Sequence, residues 1–421
     1  IFDDPVLESL IEEAVIANFD INIAQARIRE ARATRDAVSG NRLPEIGIGG
    51  SAQRVSTSKN GPMGAFANTQ NIYSANFDAS WELDFFGGNR AERSAADFRE
   101  DVAVEDQRTA FITVMAEVAR NYMEFRGSEN RLQILERNVA NQRQTLEIIQ
   151  KRVELGLSRE FDLSRAESQL QQTRSQIPAI RAASRTNLYR LSVLIGQAPE
   201  TLLDSSLKKS ALPLIPDVVP LGLRSDLLQR RPELRAAAAR LAAAVADTGV
   251  AQSRLYPRFF LTGSAGPESL TFGDLLESSS QTWAIGALFQ WPIFSQGRLR
   301  ANVRISEARA DQALLEYERS MLEVLEDVEV SMTRYAEELQ TRELLQQVVI
   351  SAQSSTELAN SLNESGLSYF IDVLDADRRL VEAEDALAIS QTRTLTELVA
   401  LYKSLGGGWE IQEQLVASNP F

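Results

Sequence analysis

The sequence predicts a mainly α-helical protein with a membrane-type β component, built from two tandem copies of one unit, and three observations carry that reading. From Arg298 to Ser365 there is neither Gly nor Pro, but 68 residues rich in Glu, Leu, Ala, Arg and Gln. At ~1.5 Å per residue such a helix is about 100 Å long, too long for a compact domain, so an elongated architecture is expected. The second observation is internal repetition, which has to be settled before any fold is assigned. RVELGLSREFDLSRAESQL, from Arg152, matches LNESGLSYFIDVLDADRRL, from Leu362, at one constant offset, which also carries Gly196 onto Gly406. With small slips Leu43-Pro44 answers Tyr256-Pro257, so the copies are read as 1–206 and 221–421. Third, each copy holds a pair of segments in which the hydrophobic period changes from 3.6 to 2.

The elements follow in order. Val6 to Asn18 and Asp20 to about Gly40 read as amphipathic helices, with Asp20 as the cap at their junction. Ile46, Ile48 and Gly50 then alternate with small or polar neighbours, and a loop is expected from Ser58 to Asn71. In the next segment Tyr73, Ala75, Phe77, Ala79, Trp81, Leu83 and Phe85 share one face; Asn76, Asp78 and Glu82 lie on the other. The second copy repeats this with Phe259, Leu261, Gly263 and Ala265, a loop from Gly266 to Gln281, then Trp283, Ile285, Ala287, Phe289 and Trp291. Segments of ~9–11 residues with this alternation suit tilted strands crossing a bilayer. Half-buried hairpins on a soluble core would show the same pattern. If the strands do cross a membrane, four cannot close a barrel, and several chains must pool theirs.

A first long helix runs from Arg90 to Val153, with Gly127 as a mild interruption. Its heptad seam of Leu132, Leu135, Val139, Gln142, Leu146, Ile149 and Val153 predicts supercoiled packing. Return helices are expected from Asp162 to Ile195 and from Asp372 to Leu405. Between the copies, Pro199, Pro213, Pro216 and Pro220 make a connector that is not helical throughout.

Composition excludes several functions. The net charge is -14, and basic residues are dispersed, which argues against nucleic acid. There is no Cys and no His, so zinc sites, thiol nucleophiles and histidine acid–base catalysis are absent. Gly47-Ile-Gly49-Gly50 does not sit between a strand and a helix, so it is no dinucleotide loop. No enzyme activity, cofactor or metal is expected. No run of 18 apolar residues offers a transmembrane helix. The chain opens at Ile1 without Met, as a mature or trimmed form would.

Pro220-Leu-Gly-Leu-Arg-Ser-Asp-Leu-Leu-Gln-Arg-Arg-Pro-Glu-Leu234 closely resembles the signature of TolC-like outer-membrane efflux proteins, of the NodT and OprM type that serves resistance–nodulation–division drug pumps. Gly366-Leu-Ser, Ile371-Asp-Val-Leu-Asp-Ala376 and Leu401-Tyr-Lys-Ser-Leu-Gly-Gly-Gly-Trp409 are similar too. The resemblance covers nearly the whole chain. It implies a homotrimer whose twelve-stranded barrel, four strands per chain, sits in the outer membrane of a Gram-negative bacterium. A helical barrel with an equatorial girdle would continue into the periplasm, and the partners would be outer-membrane lipid, a periplasmic adaptor protein and an inner-membrane pump. On this template 45–86 and 258–294 are strands, and 19–44, 87–196, 226–257 and 295–405 form the helical barrel. Residues 1–18, 197–225 and 406–421 form the girdle. Tyr73, Phe77, Trp81, Trp283, Phe289 and Trp291 would face lipid. Gly156, Leu157, Ser158, Gly366, Leu367 and Ser368 would be the tips that meet the adaptor. Asp372 and Asp375, with Ile371, match the family's periplasmic constriction; a solvated acidic helix start is the alternative. Some members place an arginine just after the tip glycine, pairing with an aspartate that matches Asp162. Here Ser368 and Tyr369 stand there, leaving Arg378 or Arg379 as substitutes. The lipidated cysteine of this branch is not in the sequence. The function implied is a passive exit duct for drugs and other small molecules, with a duct for type I protein secretion as the alternative.

Overall fold

The computed structural model describes residues 2–62, 64–203, 212–213 and 230–407. The expected connector, most of 197–225, and the tail beyond Gly407 lie largely outside the described residues. The element order is α1 (Pro5–Ala17), α2 (Phe19–Gly40), β1 (Glu45–Ser56), β2 (Thr69–Leu83), α3 (Gly88–Glu154) and α4 (Glu160–Leu194). Then come α5 (Pro232–Ser253), β3 (Arg258–Ser269), β4 (Gln281–Gln290), α6 (Arg298–Glu364) and α7 (Phe370–Ser404). Helices α3 and α6 each have 67 residues, and α4 and α7 each have 35.

Two compact units divide the chain. One gathers 1–25, 106–234 and 320–421. In it, Leu7, Leu10 and Ala14 of α1 pack on Phe111, Val118, Tyr122 and Phe125 of α3, on Leu188 and Leu191 of α4, and on Leu395 of α7. Asp4 caps α1, its Oδ1 accepting from Val6 N at 2.9 Å, and its Oδ2 accepts from the buried Tyr122 hydroxyl at 2.8 Å. At the α1–α2 junction the cap is Asn18, not Asp20. Its side chain accepts from Asp20 N at 2.9 Å and donates to Leu194 O at 2.8 Å. An amide can do both, whereas a carboxylate only accepts.

The expected seam of α3 is buried at Leu132, Leu135, Gln142 and Ile149. Asn138, beside the seam residue Val139, is buried as well and donates to Glu384 at 3.0 Å. Gly127 does not interrupt α3. A Cβ there would lie 2.1 Å from Thr392 Oγ1 of α7, so this glycine permits close helix approach rather than weakening the helix. Arg131 adds a two-toothed ion pair to Asp385 of α7, at 2.7 and 3.0 Å.

The other unit, 26–105 and 235–319, holds the β-sheet. Its order is β1-β2-β3-β4, antiparallel throughout. The strands are longer than the sequence suggested. β2 begins at Thr69, inside the expected loop, and β3 continues through Gly266 and Pro267 to Ser269. Turn-type residues masked these extensions. Gly266 lies so close to β2 that a Cβ would meet Ala75 O at 2.0 Å, an approach only glycine tolerates.

Candidate functional site

The sheet places one chemical character on each face. Cα partners in an antiparallel ladder project their side chains to the same side. The register therefore aligns Ile48, Phe77, Ala265 and Trp283 in one row, and Ile46, Ala79, Gly263 and Ile285 in the next. Trp81, Leu261 and Ala287 make a third row, and Leu83, Phe259 and Phe289 a fourth. Tyr73 lies on this face too, in edge-on contact with Phe272. Phe77, Trp283 and Phe289 are widely exposed, so the apolar face has no cover among the described residues. The opposite face carries Glu45, Ser80 and Thr262 in one row and Gly47, Asp78 and Ser264 in another, with Glu82 paired to Arg258.

Two indoles tie the sheet to the preceding helices. Trp81 Nε1 donates to Arg42 O at 2.9 Å, and Trp291 Nε1 donates to Leu255 O at 3.1 Å. Each carbonyl lies just past the C-terminus of a helix, where acceptors lack intrahelical donors. Trp291 falls one residue beyond β4.

The two hairpin tips share one construction. At α3–α4, Gly156 N bonds to Val153 O and Leu157 N to Arg152 O; at α6–α7, Gly366 N bonds to Asn363 O and Leu367 N to Leu362 O. Both glycines have φ of +73°. This left-handed cap satisfies the last carbonyls of a helix. No atom lies within 4 Å of a Cβ built on either glycine, so only backbone conformation demands glycine there. Leu157 and Leu367 point outward, 74% and 76% exposed. The Ser368 hydroxyl is buried without a partner, while its carbonyl accepts from Asn363 at 3.2 Å.

Helix α7 starts two residues before Asp372, which sits in its first turn and accepts from Tyr369 N at 3.2 Å. Asp375, one turn on, is bracketed by Arg378 Nη2 at 2.6 Å and Arg379 Nε at 3.0 Å. The Arg378 hydrogen bond, helped by the charge of Arg379, holds the Asp375 carboxyl below its ordinary range. Both arginines thus close on Asp375 rather than on Asp162, which enters no ion pair among the described residues. Ile371 is exposed beside Asp372. Asp377, the third tip carboxylate, turns inward and accepts from Gln142 of α3 at 3.2 Å. Among the described residues no cluster of His, Cys, Asp and Glu suits a metal, and no helix is long and apolar enough to cross a membrane.

A four-stranded sheet with one lipid-like face, tied by paired tryptophans to the ends of α2 and α5, in a chain with two 67-residue helices, defines an outer-membrane channel of the helical-conduit class. The chain belongs to the outer membrane efflux protein family, whose sequence profile matches residues 10–197 and 223–407. It is similar to the pyoverdine export outer membrane protein OpmQ of Pseudomonas putida, 32% identical over 416 residues, covering 97% of this chain and 87% of that protein. Nodulation protein T of Rhizobium leguminosarum bv. trifolii is 29% identical over 409 residues, covering 96% and 85%. The solved outer-membrane channel OprN superposes with a TM-score of 0.93 at 32% identity, covering 97% of this chain and 92% of that one. The protein is an outer-membrane efflux channel of the NodT and OprM type, not an enzyme.

Proposed function

We propose that three copies of the chain assemble into one passive exit duct, which carries small molecules outward from an inner-membrane pump through a periplasmic adaptor. The observation that carries this is the sheet itself. Among the described residues its apolar face is uncovered, and β1 and β4 are paired on one side only. In hydrocarbon an unpaired strand edge leaves backbone groups without partners, so the sheet can cross a bilayer only when copies join edge to edge. Three copies supply twelve strands, enough for a barrel with an aqueous lumen. The lipid-facing residues are Tyr73, Phe77, Trp81, Trp283, Phe289 and Trp291, and the tips at Gly156-Leu157-Ser158 and Gly366-Leu367-Ser368 meet the adaptor. Asp372 and Asp375, with Ile371, line the periplasmic constriction. A relative named for pyoverdine export favours small solutes over proteins as cargo.

Mass measurement of the detergent-solubilised protein tests the assembly. The expected protein mass is three times the 46.6 kDa of the chain. A monodisperse monomer with the sheet intact would overturn the shared barrel.

A further inference from the structure

We propose that Asp377 and Gln142 form a proton-dependent tie between the two helical hairpins, in which a protonated Asp377 carboxyl and the Gln142 amide bond to each other through both of their polar atoms. Three independent features meet at this point. Gln142, on α3 of the first hairpin, is 6% exposed, and its Nε2 donates to Asp377 Oδ2 of α7 at 3.2 Å. Its other polar atom, Oε1, is buried without any hydrogen-bond partner. A cavity of about 50 Å³ adjoins the pair, enclosed by residues of α3, α4, α6 and α7.

A buried amide oxygen without a donor is costly, and neither the Gln169 nor the Asn360 amide at the cavity wall hydrogen-bonds to it. Thr145 and Thr356 line the cavity, but their hydroxyls donate to Asn141 O and Ala352 O of their own helices. An ionised carboxylate can only accept. A carboxyl proton on Asp377 supplies the missing donor, closing a ring of two hydrogen bonds. Rotating the Gln142 amide by half a turn does not remove the need. Its oxygen would then face Asp377 Oδ2, a contact between two acceptors unless a proton lies between them.

The electrostatic setting agrees. Burial is the main influence raising the Asp377 carboxyl above its ordinary range; the Gln142 bond opposes this and the Glu384 charge adds to it. Among the described residues no cation lines the cavity. Its polar walls are Gln142 and Thr145 from α3, Gln169 from α4, and Thr356 and Asn360 from α6. On its own helix the facing charge is Glu384, itself held by Arg137 at 2.8 Å and Asn138 at 3.0 Å. The pKa is higher in the tied state than when solvent reaches the group. The tie is therefore complete below the ordinary carboxylate range and is lost as pH rises through the raised value. Nothing here depends on Asp372 or Asp375 forming a constriction.

The test uses the full chain in detergent. Infrared difference spectra between acid and neutral pH should show a protonated carboxyl that titrates above the ordinary carboxylate range. That band should be lost in Asp377→Asn, whose amide mimics the protonated acid. Because the chain has no Cys, nitroxides on Leu157→Cys and Leu367→Cys report the separation of the hairpins against no background. The distance distribution should broaden as pH rises, stay narrow at every pH with Asp377→Asn, and lose its pH response with Gln142→Leu. If no such carboxyl titrates, if the unsubstituted hairpins ignore pH, or if Asp377→Asn broadens as they do, the tie does not exist.

Discussion

Four residues at the second tip show how little separates equivalent charges in a sequence. Asp372 and Asp375 are three apart and share a helix face, yet Asp372 serves the helix start while Asp375 is held by two arginines. A ring of such residues is less negative than carboxylates alone would be, because Arg378 and Arg379 travel with it. Asp372→Ala combined with Asp375→Ala is expected to weaken block by multivalent cations added on the periplasmic side, measured in single-channel recordings. Arg378→Ala with Arg379→Ala should act in the opposite sense, strengthening block and cation preference. Since Asp375 is held below the ordinary carboxylate range, its share of the block should persist at about pH 4 and disappear only on further acidification. Gly366 is a simpler case. At φ +73° a β-branched side chain is strained, at a cost of about 1–3 kcal/mol, although the space around it is empty. Gly366→Val is expected to leave the protein in the outer membrane, detected by fractionation, and to abolish resistance measured by growth on exported drugs.

At the level of single elements, the strands were legible and the helix contacts were not. Period-two alternation named the apolar face of all four strands, because a strand's two faces are set by residue parity alone. Register then brought the four sets to one side of the sheet, which alternation within a strand cannot ensure. Ala79→Arg places a cation on the face with Ile46 and Ile285, at an expected cost of about 2–4 kcal/mol near mid-membrane. Ser80→Arg lies on the opposite face beside Thr262 and should be tolerated. Heat-modifiable migration of outer-membrane fractions distinguishes the two, and equal behaviour would mean the faces are misassigned. Gly127 illustrates the limit of local reading. Within its own helix it looks like a weak point, but its reason is Thr392 on another helix.

For the whole molecule, the open sheet edges decide what must be tested. β1 is expected to pair with β4 of a neighbouring copy, in the same antiparallel sense that runs through the sheet. A cysteine placed in Glu45–Ser56, combined in turn with one at each position of Gln281–Gln290, should yield disulfide-linked trimers for one or two adjacent registers. The cysteine-free background makes every linkage attributable to the engineered pair. Linked dimers without trimers across the whole scan would exclude a closed three-copy ring.

The sequence by itself determined the kinds of element, their order, the glycine-capped tips and the faces of the strands. Each of these depends on neighbours within about one helical turn or one strand residue pair, so it is written locally. Only the tertiary structure decided that Asn18 rather than Asp20 caps α2. It alone showed that Gly127 serves packing, that Arg378 and Arg379 choose Asp375 over Asp162, and that Asp377 turns inward to Gln142. The physical reason is that hydrogen bonds and ion pairs act over a few ångströms. Which groups come that close is set by how distant helices pack, and residue type and spacing along the chain carry no record of it.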